Sequence, residues 1–361
     1  MGSRSLHWVR RVAGLLIALP LGTGALTAPA TAQESRNATP PVLAKAAKDS
    51  PEELREYWTP ERIEKALANP MDSPAVKPDS TPRTAELERT GSSTVASADA
   101  VPPASKAART PSTLDATSVS RSVRVTDTTA WPNSAVGKLL FRTADGKDRM
   151  CSAASITSTT RNAIWTAAHC LHSGRNEDDF NTSFIFLPAY DNGWYPGFWF
   201  AARVIVPADW ARNQDVYDAD MGALVLQPNS SYGNLQDYVG AFGYTFGNAD
   251  HSNAHSFGYP ANGYNRPDSD FAGAEYQMYC SGSTVDAANW NPLDDRLRMN
   301  CDMGGGASGG PMVIGVGAGN VQIIGANSHR NVDSAGNWAD NYLFSSEHGD
   351  NAAAVIDLVN S

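Results

Sequence analysis

Ala163-Ile164-Trp165-Thr166-Ala167-Ala168-His169-Cys170 sets a histidine beside a cysteine directly behind a short apolar strand. Outward from it in both directions run other short segments of β-type composition: Val136–Arg142, Ala153–Ser158, Ala163–Ala167, Phe184–Leu187, Phe198–Val206, Gly222–Leu226, Val239–Tyr244, Met312–Val316 and Val321–Gly325. Turn signals such as Asp145-Gly146, Asp191-Asn192-Gly193 and Gly317-Ala318-Gly319-Asn320 separate them. Long helices do not alternate with these segments, which argues against a parallel α/β sheet and predicts an all-β domain from about Val123 onward. One helix is expected at the end, capped by Asp350 or Asn351, with Val355, Ile356, Leu358 and Val359 as its apolar stripe.

The histidine has two partners in the sequence. Ser308 lies in Gly304-Gly305-Gly306-Ala307-Ser308-Gly309-Gly310-Pro311, where glycines leave backbone N–H groups open toward a developing oxyanion. Asp220 opens Asp220-Met221-Gly222-Ala223-Leu224-Val225-Leu226, a carboxylate at the mouth of a buried strand. A hydroxyl is a poor nucleophile at neutral pH; it needs a histidine to take its proton and a carboxylate to orient the imidazole. Asp218 is a second candidate for that carboxylate. Gly306-Ala307-Ser308-Gly309-Gly310 also satisfies G-x-S-x-G, so an esterase or lipase of the α/β-hydrolase type, using Asp333 and His348, is a rival reading. That fold needs a helix directly after the serine, which Gly309-Gly310-Pro311 opposes. A non-catalytic binding module on a protease scaffold is a third.

These three segments resemble those of the chymotrypsin- or trypsin-like serine peptidases over about Val123 to Ser361. Cys301-Asp302-Met303 and Phe257-Gly258-Tyr259-Pro260 look more like the secreted microbial, V8-like branch. The resemblance implies two six-stranded antiparallel β-barrels with the site between them. It makes Ser308 the nucleophile, His169 the general base and then acid, Asp220 its orienter, and the N–H groups of Gly306 and Ser308 the oxyanion hole. It also implies disulfides Cys151–Cys170 and Cys280–Cys301, out of the three connectivities that four cysteines allow. No CxxC spacing exists, so a zinc site using His169 is disfavoured, and no metal or cofactor is expected. Animal relatives carry an Asp directly before the nucleophile, where this chain has Ala307, so control of any zymogen must come from the prefix.

For specificity, the resemblance places Asp302 at the pocket floor, with Met303, Asn327, Ser328 and His329 along its walls. The Thr and His that read glutamate in V8-like enzymes are replaced by Met303 and Asn327. From Val123 onward 13 Lys+Arg stand against 25 Asp+Glu, a balance of −12 that favours basic or neutral substrate side chains. The aromatic stretch Tyr190–Phe200 reads as barrel filling or as a substrate wall. The acidic turns Glu177-Asp178-Asp179 and Asp268-Ser269-Asp270 read as solvated or as calcium ligands.

The N-terminal third is different. Arg4, Arg10 and Arg11, then apolar Val12 to Leu26, then Ala30-Thr31-Ala32 form a secretory signal over residues 1–32. Ser50 to Asn69 reads as one or two short helices, with Thr59 as cap, Pro60 at the first helical position, and Tyr57, Ile63 and Leu67 on one face. Pro70 to Val119 is rich in Pro, Ser, Thr and Ala and reads as a flexible linker. Residues 33–122 are therefore expected to be a largely flexible propeptide, cleavable near Arg121 and Arg124, ahead of a peptidase domain over residues 123–361. In a chain of 361 residues, 42% hydrophobic and 18% charged, whole-chain disorder is excluded. The net charge of −10 argues against nucleic acid as a partner. Expected partners are protein or peptide substrates and the chain's own propeptide. The mature protein is expected to be extracellular, off the membrane and monomeric.

Overall fold

The computed structural model describes residues 39–77, 96–104, 118–248, 250–287 and 296–361. The signal segment over residues 1–32, and the linker reading where it covers residues 78–95 and 105–117, lie outside the described residues.

The prefix contributes β1 (Val42–Ala46), α1 (Pro51–Tyr57), α2 (Pro60–Leu67), β2 (Ala75–Val76) and β3 (Ser97–Ala98), followed by β4 (Val119–Arg124). Both helices start as their sequence demands. Ser50 closes a capping box with Glu53 ahead of α1, and Thr59 accepts from the Arg62 N–H ahead of α2, with Pro51 and Pro60 in the first turns.

Six strands then close a barrel: β5 (Val136–Arg142), β6 (Asp148–Ile156), β7 (Ala163–Thr166), β8 (Thr182–Pro188), β9 (Trp199–Pro207) and, after the short helix α3 (Ala208–Asn213), β10 (Gly222–Leu226). The order is β9-β10-β7-β6-β5-β8, and the pairs Ile185↔Phe200 and Phe186↔Trp199 return β8 to β9. Side chains alternate as strands require. β5 sends Leu139 and Phe141 to one apolar cluster and Leu140 to another. That second cluster is shared with Leu54, Trp58 and Leu67 of the prefix, each buried and each worth roughly 1.5–3 kcal/mol. β1 extends the barrel wall by pairing antiparallel with β9 from Val42↔Pro207 to Ala46↔Arg203.

The second half begins with the helix α4 (Leu235–Val239) and continues as β11 (Gly243–Thr245), β12 (His251–Gly258), β13 (Met278–Asp286), β14 (Leu297–Asn300), β15 (Pro311–Ile314), β16 (Gln322–Ala326), β17 (Arg330–Asn331) and β18 (Tyr342–Ser345). It ends in α5 (Asp350–Val359). The sheet runs β18-β14-β13-β12-β15-β16-β11-β3, with β4 attached to β13.

Several expectations need correction. The expected second closed barrel is absent among the described residues. β11 is only three residues long, pairs with β16 in parallel, and has its other edge taken by β3 of the prefix, so nothing carries the sheet round to β18. Where it is described, the prefix is also not a flexible leader, since it supplies strands to both halves. In the uncut chain the strand β4 runs across residues 122 and 123 and pairs with β13 through Val123↔Tyr279 and Arg124↔Met278. Val239–Tyr244 is not one strand: α4 ends at Val239, and Gly240 turns the chain at φ 81° before β11. α5 has no side-chain cap and starts from Gly349, although Val355, Ile356 and Val359 are buried as its stripe predicts. In the aromatic stretch, Tyr190, Trp199 and Phe200 are buried, while Trp194 stays exposed.

Candidate active site

Strand pairing brings His169 and Asp220 together. β10 pairs antiparallel with β7 so that Gly222 faces Thr166. Asp220, two residues before one strand end, therefore meets the short helical turn Ala168–Cys170 that follows the other. Asp220 Oδ1 accepts the His169 backbone N–H at 2.9 Å, and its Oδ2 lies 2.8 Å from His169 Nδ1. The carboxylate is fully buried. Burial alone would raise its pKa, but the charge of His169 and hydrogen bonds from His169 and Ser328 outweigh that and hold it below the ordinary carboxylate range. A disulfide joins Cys170, next to the histidine, to Cys151 on β6, and a second joins Cys280 to Cys301. The cysteines that cluster with His169 are therefore not free to bind a metal.

The Ser308 loop is pressed onto the same strands. Ser152 on β6 donates its N–H to Ser308 O at 2.8 Å and its hydroxyl to Gly306 O at 2.8 Å. Gly309 has φ 78°, and a Cβ there would lie 1.9 Å from Thr166 Oγ1 and 2.9 Å from Ala167 N, on the segment leading to His169. Gly306 has φ 90°, and a Cβ there would lie 2.5 Å from Tyr259 O. Only glycine allows this approach. The N–H groups of Gly306 and Ser308 donate to no acceptor among the described residues. His169 Nε2 is likewise without a partner among them. Ser308 Oγ lies 3.1 Å from Ser73 Oγ of the prefix.

Behind Asp220 runs a chain of hydrogen bonds whose direction chemistry fixes. An arginine can only donate, so His329 Nε2 must accept from Arg296, at 2.6 Å. The His329 proton then sits on Nδ1 and is donated to Ser328 Oγ at 2.7 Å. Ser328 in turn gives its own proton to Asp220 Oδ2 at 2.5 Å. Burial and the Arg296 charge push His329 well below the usual histidine pKa, keeping it neutral.

The residues expected to line a substrate pocket are all buried. Asn327 commits both side-chain donors to Ala307 O and Phe257 O, so it braces the serine loop. The Met303 side chain belongs to the apolar cluster around the Cys280–Cys301 disulfide. Asp302 accepts the Ser122 N–H at 2.8 Å and pairs with Arg266 at 3.1 Å. Arg330, at about 10 lowered mainly by burial, donates to the carbonyls of Cys301, Met303, Asp340 and Tyr342. Sequence reading missed Ser152, Ser73, Arg266, Arg296 and Arg330, because none lies in a motif and each acts through a distant partner.

The rival triad does not form. His348 is tied to Trp165 Nε1 and Ser346 O, and Asp333 receives the N–H groups of Ala335 and Asn337 in an exposed turn. Ser308 is followed by a turn and then β15, without a helix.

No protein-family model matches the chain, and neither does any curated protein. Solved structures do. The protease Anisep from Arthrobacter nicotinovorans is similar at 28% identity and a TM-score of 0.56, over 66% of this chain and 98% of that one. A thermostable serine protease, AL20, from an extremophilic microorganism is similar at 29% identity and a TM-score of 0.53, over 62% and 96%. These neighbours have the trypsin-like fold, and the chain is built on a protease scaffold.

Proposed function

We propose that the chain is a secreted serine endopeptidase of the trypsin-like type, made with a signal segment over residues 1–32 and a prefix over 33–122 that is removed. Ser308 Oγ attacks the scissile carbonyl while His169 Nε2 takes its proton. Asp220 holds the imidazole with its proton on Nδ1 and stabilises the imidazolium. The tetrahedral oxyanion is received by the N–H groups of Gly306 and Ser308. His169 then protonates the leaving amine, and an acyl-enzyme remains. Water, deprotonated by the same histidine, cleaves that ester and restores Ser308.

The observation that carries this reading is the Asp220 carboxylate bonded to both the backbone and the ring of His169, with the glycine loop of Ser308 packed on Thr166 and Ala167. The two disulfides fit an oxidising compartment, and among the described residues no helix is long and apolar enough to cross a membrane. The test is digestion of a mixed peptide library by the processed chain, with Ser308→Ala as control and cleavage sites read by mass spectrometry. Cuts that vanish with Ser308→Ala are expected. Cuts that persist in that variant, or none in either, would end the proposal. His169→Ala separates the elbow-type esterase, which would keep its activity, from the peptidase, which would lose it.

A further inference from the structure

We propose that the segment Asn69–Lys77 is an inhibitory strap over the active site of its own chain, holding a hydroxyl where a substrate would present a carbonyl. The inference rests on the peptidase reading above and names the regulation of that site.

The strap is fastened at both ends, to different halves of the molecule. At the barrel end, Asn69 O accepts the Met150 N–H at 3.2 Å and Met71 donates its N–H to Met150 O at 2.8 Å. The Asn69 side chain adds bonds to Asp148 O at 2.7 Å and Arg149 at 2.8 Å. At the sheet end, β2 pairs in parallel with β17 through Ala75↔Arg330 and Asn331↔Val76, and Val76 O accepts the Val332 N–H at 2.8 Å. Ser73 lies between these fastenings, against Ser308. Pro70 covers the other half of the machinery, since a Cβ on Gly306 would lie 3.3 Å from Pro70 Cβ. The strap forms one side of an open cleft of about 870 Å³ that His169, Trp210 and Tyr217 also line.

The contact explains why the strap survives beside a nucleophile. Acyl transfer needs a carbonyl carbon in front of Ser308 Oγ, whereas Ser73 offers an O–H, which can exchange a hydrogen bond but has no carbonyl carbon for Ser308 to attack. The strap therefore occupies the site without being a substrate in this pose. It also does not depend on the peptide link that follows it. β1, α1 and α2 hold it to the barrel through five paired residues and buried side chains. A cut beyond Lys77 therefore leaves it seated, and activity requires that the segment from Thr39 to Lys77 dissociate or be destroyed. The sheet end is the weaker fastening, because it is a parallel pairing of two residues.

Two measurements on the full chain test this. In the first, Ser73→Cys is combined with Ser308→Cys, and mild oxidation followed by peptide mapping looks for a disulfide between positions 73 and 308. This readout needs no catalysis. In the second, Ser308 is left intact and both fastenings are loosened by Asn69→Ala with Val76→Asp. Labelling of Ser308 by an alkyl fluorophosphonate is then timed, with mass spectrometry confirming uncut chains. We expect the cross-link, and labelling at least about tenfold faster in the loosened chain, because a tethered blocker competes at high effective concentration. Absence of the cross-link overturns the strap while leaving the peptidase to be judged by the library digest. A cross-link with equal labelling rates shows a seated segment that does not inhibit, and also overturns it. A cross-link with no labelling in either chain means Ser308 is not a nucleophile, and both readings fall together.

Discussion

The two walls of the cleft hold their shape by different means. The barrel wall closes through strand pairing, and its interior is mostly aliphatic and aromatic, with Leu139, Phe141, Ile164, Phe186 and Leu224 among its buried side chains. The sheet wall does not close, and it buries Arg296, Arg298, Asp302, Asn327, His329 and Arg330. Buried polar groups need partners, and here those partners are one another and the carbonyls of the serine loop and its neighbours. In this wall a connected polar network supplies the rigidity that closure supplies opposite. The difference matters for chemistry. His169 and Asp220 are placed by register between β7 and β10, whereas Ser308 is placed by Asn327, Ser152 and the two glycines Gly306 and Gly309. The first arrangement tolerates loss of a side chain; the second should not.

The seam between the walls offers the largest effect. Trp165 on β7 donates to His348 Nε2 at 3.0 Å, and His348 Nδ1 faces Ser346 O at 3.0 Å, which fixes the neutral ring with its proton on Nδ1. Burial lowers its pKa from the ordinary 6.5 to about 4. Between those values the unfolded chain binds a proton that the folded chain refuses. Stability should therefore fall as pH drops from 6.5 toward 4, by up to about 3 kcal/mol from this group alone. Below pH 4 both states are protonated and the loss is complete. Denaturant midpoints across that window should show it, and His348→Gln should flatten the slope. A slope unchanged in the variant would mean that the seam does not exclude the proton.

The same contrast governs what was legible in the sequence. Five of the six barrel strands coincide with apolar runs to within about two residues, and the sixth, β6, was entered late because Asp148 and Arg149 hide its start. In the sheet wall, β12, β13, β14, β17 and β18 were not among the strand segments read. Leu297-Arg298-Met299-Asn300 and Met278–Asp286 do not alternate as a half-buried strand should, because Arg298, Ser281 and Thr284 are buried. Hydrophobic pattern finds strands that bury hydrocarbon and misses strands that bury a network. The candidate triad was legible for another reason, since its chemistry requires particular residues beside particular backbone shapes. The strap was not: Asn69–Lys77 has linker composition, and only its partners on two separate strands give it structure.

A smaller effect is expected within the network. His329→Phe keeps the stacking on Phe344, whose ring lies parallel at 5.4 Å, but removes the proton donated to Ser328. Ser328 is then free to turn away from Asp220. We expect kcat to fall about tenfold with KM unchanged, the worth of one buried hydrogen bond acting on the reacting groups. His329→Gln, which retains an N–H donor, should recover most of it. A purely structural role would instead lower stability in both variants and leave kcat intact.

The smallest effect is predicted at Asp302, and there a null result is the informative one. In a charge-reading pocket this carboxylate would face the substrate. Here its Oδ1 accepts the Ser122 N–H and its Oδ2 is paired with Arg266, which also binds Ser122 O and Asp270. The Arg330 guanidinium lies close enough to act on the same carboxylate. One negative charge therefore stands between two positive ones, and its side chain is only 4% exposed. Cutting the chain after residue 122 would free the strand that carries Ser122, yet Arg266 and Arg330 would remain. A cationic substrate side chain would meet no net negative charge, so Asp302→Asn should leave the ratio of kcat/KM for Arg over uncharged residues within about twofold. It should still lower the melting temperature, because Arg266 loses its buried partner. A collapse of that ratio by more than about tenfold would put Asp302 in contact with substrate, and the network in the sheet wall would then serve recognition as well as rigidity.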